Sequence, residues 1–184
     1  MTNSTRHRTS PSSHRNSWIF GITILIVLGL VTVVVLTRGG ASSSTAVERT
    51  GEVNSMGMPI VATPGSGSGV AEGDGVTGTP AVWALGSVPL NVAVLPDWQL
   101  QNTGSQDFTL GTPHVQINEG CCPGDLAYSG PTLLRPDQST GLTFELSMHP
   151  GMDGVHDMTI HVPLQYADGS ESVLDLSVTG DFRS

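Results

Sequence analysis

Hydrophobic positions along this chain follow two regimes. Residues 18–36 (WIFGITILIVLGLVTVVVL, from Trp18 to Leu36) form 19 consecutive positions without a charge. From about Ala81 onward, apolar residues instead come in short runs separated by turn residues. As a helix rising about 1.5 Å per residue, the first run spans roughly the 30 Å of a bilayer core. Trp18 stands at its edge, where an indole lies well at headgroup level. A cleaved signal peptide would have a shorter apolar core followed by a small-residue cleavage site. Residues 41–46 (ASSSTA) are small enough to be cut, but the core is long and Arg38 follows it directly, so an uncleaved anchor over residues 18–37 is expected.

The second regime predicts strands. Candidates are residues 88–95, 98–101, 108–110, 114–117, 132–134, 141–148, 155–162 and 173–178, divided by breakers such as Asn102-Thr103-Gly104, Ser129-Gly130-Pro131 and Asp168-Gly169. No window carries an amphipathic helix. About seven short strands in about 100 residues predict an antiparallel β-sandwich over residues 81–184. Leu142, Phe144, Leu146 and Met148 alternate with polar residues, as do His156, Met158, Ile160 and Val162, and then Leu174, Leu176 and Val178; each set marks one face of a strand. If the first two pair as a hairpin, Phe144 opposes Ile160, Leu146 opposes Met158 and Met148 opposes His156.

Between the regimes, residues 38–80 are rich in Gly, Ser, Thr and Pro, with MGMPIVA (residues 56–62) as the one apolar island. Such a composition buries little surface to offset ordering entropy, so a flexible stalk is expected. The 17-residue N-terminal tail, rich in Ser, Thr, Asn and Arg, has no apolar content with which to fold.

Charge sharpens the division. All sixteen carboxylates follow residue 47, offset there only by Arg49, Arg135 and Arg183, while Arg6, Arg8 and Arg15 precede the apolar run and Arg38 follows it. This bias points the N-terminus to the cytoplasm and the acidic part outward, in a single-pass cell-membrane protein. An acidic surface argues against nucleic acid as a partner. The expected contacts are the lipid bilayer, through residues 18–36, and another envelope protein.

Leu100-Gln101-Asn102-Thr103-Gly104, then Gly120-Cys121-Cys122-Pro123, then Leu134-Arg135-Pro136-Asp137 and a closing Leu-x-Leu-x-Val strand occur in that order. Over residues 85–180 this resembles the immunoglobulin-like domains of the ASPM-SPD-Hydin and major-sperm-protein-like type, including membrane-anchored bacterial versions of unknown function. The MHPGMDGVH segment is similar to one in such members. The resemblance implies a binding or scaffolding module rather than an enzyme. Asp137 stands where a glycine is usual in that turn.

Two loops carry the rare soft ligands. Cys121 and Cys122 are adjacent and are the only cysteines. A bond between neighbours closes a strained ring and adds almost no loop-closure stabilisation. A reducible pair, a soft-metal ligand pair and an inert pair all remain open. Met148, His149, Met152 and His156 lie within nine residues; thioether and imidazole together suit copper. These six residues are the candidate copper ligands. Structural zinc fits less well, because its cysteines are separated by two to four residues. No G-x-S-x-G, H-E-x-x-H or phosphate-cradling loop is present, so no catalytic residues are expected. The alternatives to a copper-binding module are a metal-free structural or interaction domain and a thiol redox protein.

Overall fold

The computed structural model describes residues 49–184. The expected N-terminal tail, the membrane span and the start of the stalk, up to residue 48, lie outside the described residues. Among the described residues no helix is long and apolar enough to cross a membrane, and every regular element is a strand.

Sixteen strands follow in order: β1 (Arg49–Val53), β2 (Pro59–Val61), β3 (Ser66–Ser68), β4 (Ala71–Gly73), β5 (Val76–Thr79), β6 (Val82–Pro89), β7 (Ala93–Val94), β8 (Asp97–Asn102), β9 (Phe108–Leu110), β10 (His114–Glu119), β11 (Leu126–Tyr128), β12 (Leu133–Leu134), β13 (Ser139–Phe144), β14 (Leu146–Ser147), β15 (Gly154–Tyr166) and β16 (Glu171–Arg183). The larger sheet has the order β12-β9-β15-β16-β6-β3, with β10 also beside β15. A five-stranded sheet has the order β11-β13-β8-β5-β4, and β1-β2-β7-β14 form a small third sheet. Most pairs are antiparallel; β16 with β6 and β2 with β7 are parallel.

Alternation builds the core. In β8, Trp98, Leu100 and Asn102 are buried while Asp97, Gln99 and Gln101 are exposed. In β15, His156, Met158, Ile160, Val162 and Leu164 point inward. Leu174, Leu176, Val178 and Phe182 do the same in β16. The apolar residues of β15 and β16 join Val76, Trp98, Leu100, Leu142 and Phe144 of the facing sheet in one cluster, so residues 49–184 form a β-sandwich. Each large side chain withdrawn from water contributes about 1.5–3 kcal/mol. The two layers approach closely at Gly78, where a Cβ would fall 2.6 Å from Leu176 Cδ2; any larger residue there would push them apart.

Two expectations need correction. Residues 49–79, expected as flexible stalk, carry β1 to β5. β3 pairs with β6, and β5 pairs with β8. Val61 and Val76 are buried, and the buried Asn54 donates from Nδ2 to Glu145 Oε1 at 2.7 Å. The segment is held by backbone ladders and by apolar side chains from its neighbours, so its own low apolar content is no bar to folding.

The expected hairpin between residues 141–148 and 155–162 does not form. β13 pairs with β8 and β11, whereas β15 pairs with β16 along its whole length, from Gly154 opposite Phe182 to Gln165 opposite Glu171. Phe144 and Ile160 therefore lie in opposite layers, and His156 is opposite Gly180 rather than Met148. The inward-facing residues were read correctly; alternation fixes a strand's face but not its partner. The hairpin turn is at Asp168-Gly169, where Ser170 N and Oγ both donate to Asp168 Oδ1.

Candidate functional site

Cys121 and Cys122 occupy the loop between β10 and β11, and both are free thiols. Gly120 begins the loop at φ 89°. A Cβ there would come within 2.4 Å of the His156 ring, so only glycine lets this loop lie on the imidazole. Cys122 also has a positive φ, 55°, a conformation that costs a non-glycine residue about 1–2 kcal/mol. The loop is thus shaped around the ring below it.

His156 enters from the N-terminal end of β15 and is 4% exposed. Its ring stands edge-on to Phe182, with centroids 5.1 Å apart. Nδ1 lies 3.1 Å from the carbonyl oxygen of Gly154, and only an Nδ1–H can donate to that acceptor. This assignment leaves Nε2 with a free lone pair, 4.0 Å from Cys121 Sγ. The hydrogen bond with Cys122, ahead of desolvation and the charge of that neighbour, pushes the Cys121 thiol up from its ordinary range. A thiol held protonated is a poor nucleophile.

The other predicted ligands are placed differently. Met148 is wholly buried among the core side chains, and its carbonyl accepts from Asn91 N at 2.7 Å. His149 is exposed, with Nδ1 3.3 Å from Pro150 O. Met152 is half-buried against the core, and its N–H closes a turn onto His149 O. The structure thus brings Cys121 within 4.0 Å of His156, with Cys122 the exposed next residue of the loop. No hydrogen bond joins Met148, His149 or Met152 to them among the described residues. No three His, Cys, Asp or Glu side chains converge as a preformed metal cage among the described residues.

Gly120 and Phe182 complete this site and were not singled out from the sequence. Gly120 was legible as the residue preceding the cysteines. Phe182 was not, because the last strand runs five residues beyond its expected end at 178. At the opposite end of β15, a cleft of about 420 Å³ is lined by Asp74, Asn102, Gln106, Tyr166, Asp168 and Glu171. It holds neither thiol nor imidazole.

The fold is that of an all-β sandwich with one buried imidazole facing a thiol loop. No family model matches the chain, and no curated protein matches its sequence. Solved structures similar to it include the VesB protease of Vibrio cholerae, at 14% identity and TM-score 0.45 over 59% of this chain and 32% of that one. The periplasmic chaperone SfaE matches at 11% identity and TM-score 0.45, over 60% and 58% of the two chains. The ASH/PapD-like domain 7 of human CEP192 matches at 13% identity and TM-score 0.43, over 60% and 86%. The chain therefore spans about a third of the VesB protease and under two thirds of SfaE.

Proposed function

We propose that the protein is a membrane-tethered, extracytoplasmic binding module of immunoglobulin-like type that takes copper(I) at Cys121, Cys122 and His156. The observation that carries this reading is the 4.0 Å separation of Cys121 Sγ from the bare Nε2 of His156. Metal–sulfur and metal–imidazole bonds of about 2.3 and 2.0 Å put the two donors about 4 Å apart when they flank an ion at a wide angle. Copper(I) accepts two or three soft donors, and Cys122, the next residue in the loop, would be the third. Binding displaces the thiol protons, so the metal offsets the hold that the hydrogen bond with Cys122 keeps on the Cys121 proton. Met152 and His149, in the loop before β15, would be further donors only if that loop moved, whereas Met148 stays with the core. Residues 18–36 would anchor the domain to the bilayer.

The test is competition for copper(I) between the reduced full chain and a chelator, without oxygen. One ion is expected per chain, with at least a hundredfold loss in Cys121→Ser and in His156→Ala. Equal retention by both variants would sink the reading.

A second reading, an interaction module without metal, draws on β10. This strand pairs only with β15, so its other edge is open among the described residues, and Ile117 within it is 43% exposed. An extended segment of an envelope protein could add there as a further strand. A photo-crosslinker at Ile117 should then yield one discrete adduct in the membrane; a smear or nothing removes this reading.

A further inference from the structure

The outer face of the larger sheet carries a second arrangement of imidazoles, on the side of β15 opposite His156. His114, His161 and Asp175 lie in one row across three adjacent strands. His114 is the register partner of His161, and His161 is the register partner of Asp175. The two rings are 5.0 Å apart between centroids and tilted by 33°. His161 Nδ1 lies 2.7 Å from Asp175 Oδ1, and its Nε2 lies 3.3 Å from Gln116 Oε1.

The hydrogen-bond network has a direction. Asn118 Nδ2 donates to Thr159 Oγ1 at 3.0 Å and faces Asp157 Oδ1 at 3.5 Å. A carboxylate only accepts, so this orients the Asn118 amide. Asn118 Oδ1 in turn accepts from Gln116 Nε2 at 3.0 Å. The carbonyl oxygen of Gln116 is thereby turned to His161. On the other side, Asp175 takes the Nδ1 proton. Neutral His161 then presents a bare Nε2 to the Gln116 oxygen, and two lone pairs face each other. A proton, a metal ion or a water that donates to both resolves this contact.

We infer that His161 Nε2, a ring nitrogen of His114 and Gln116 Oε1 bind a divalent transition-metal ion of the zinc class, completed by water. Asp175 acts as the positioning residue that holds the His161 tautomer. A carboxylate on the far nitrogen of a metal-bound imidazole is the usual outer partner of such a ligand. Cis imidazoles at about 2.1 Å from one ion have ring centres about 5 Å apart, which is the separation found here. Neutral imidazole and a carbonyl oxygen suit a borderline divalent ion, whereas copper(I) prefers the thiol loop. The surrounding carboxylates raise the local cation concentration. This site is independent of the copper reading and shares no residue with it.

The experiment uses the full chain carrying Cys121→Ser and Cys122→Ser, so that thiols take no metal, with zinc ion as the probe. Imidazole nitrogen NMR should show His114 and His161 shifting together as zinc is added. His114→Ala and His161→Ala should each weaken binding at least tenfold in calorimetry, with unchanged melting in the absence of zinc. Asp175→Asn should weaken it about tenfold or more while both rings still respond. The inference is overturned if zinc shifts only the other four histidines, or if both alanine variants bind zinc as tightly as their parent.

Discussion

Asn102 commits every polar atom of its side chain to the backbone. Nδ2 donates to Gln106 O at 2.8 Å and to Leu134 O at 2.9 Å, and Oδ1 accepts from Gly104 N at 2.9 Å. It thus ties the loop after β8 to the end of β12 from a wholly buried position. Asn102→Ala would strand these groups away from water and should lower unfolding stability by about 2–3 kcal/mol in urea titration. Asp137 poses the opposite case. Gln138 N donates to Arg135 O at 3.0 Å, Pro136 follows Arg135, and Asp137 has φ 64°; together these make a type II turn, which favours glycine at that place. Asp137→Gly should leave the melting temperature unchanged or raise stability by up to about 1 kcal/mol, while Asp137→Val should lower it. Both residues belong to motifs visible in the sequence. Their roles were not visible, because the acceptors of Asn102 lie as many as 32 positions away. The same holds for Cys121 and His156, 35 positions apart: their residue types were legible as ligands, their proximity was not.

At the scale of elements, β3 to β5 show what composition hides. Ser-Gly-Ser, Ala-Glu-Gly and Val-Thr-Gly-Thr bring few apolar atoms of their own. They fold because β6 and β8 offer open ladder edges, and because Leu100, Leu174 and Leu176 crowd against Gly78. A fragment that starts at Ala81 would expose those leucines and leave one edge each of β8 and β6 unpaired. It should aggregate or melt well below a fragment that starts at Val47, as scanning calorimetry of the two would show; equal melting would mean that β1 to β5 contribute nothing. Strands with strong alternation, β8, β13, β15 and β16, were legible from sequence. The partners of β13 and β15 were not, since the six-residue connection from Met148 to Asp153 crosses between layers as readily as it would turn back.

For the molecule as a whole, a half-buried phenol sets an alkaline limit. Tyr128 donates to Gly111 O at 2.9 Å, and burial pushes its pKa up to about 12. The unfolded chain loses that proton near pH 10 while the folded protein keeps it. Stability from this group is therefore complete below pH 10 and is lost as pH rises through about 12. The melting temperature should fall across that window, and Tyr128→Phe should flatten the fall. Tyr166, also raised by desolvation first, leaves a smaller residual slope.

The place of β16 in the larger sheet has a consequence in time. It lies between β15 and β6, and it follows every other described strand in chain order. Its parallel contact with β6 joins Val178 to Trp83, so the growing chain carries the β3–β6 pair for about ninety residues before the second neighbour of β6 exists. Such distant pairing closes slowly. The larger sheet cannot close around β6 until residues 171–183 have been made. Cotranslational protease sensitivity should therefore persist along residues 66–89 and end abruptly once those residues emerge.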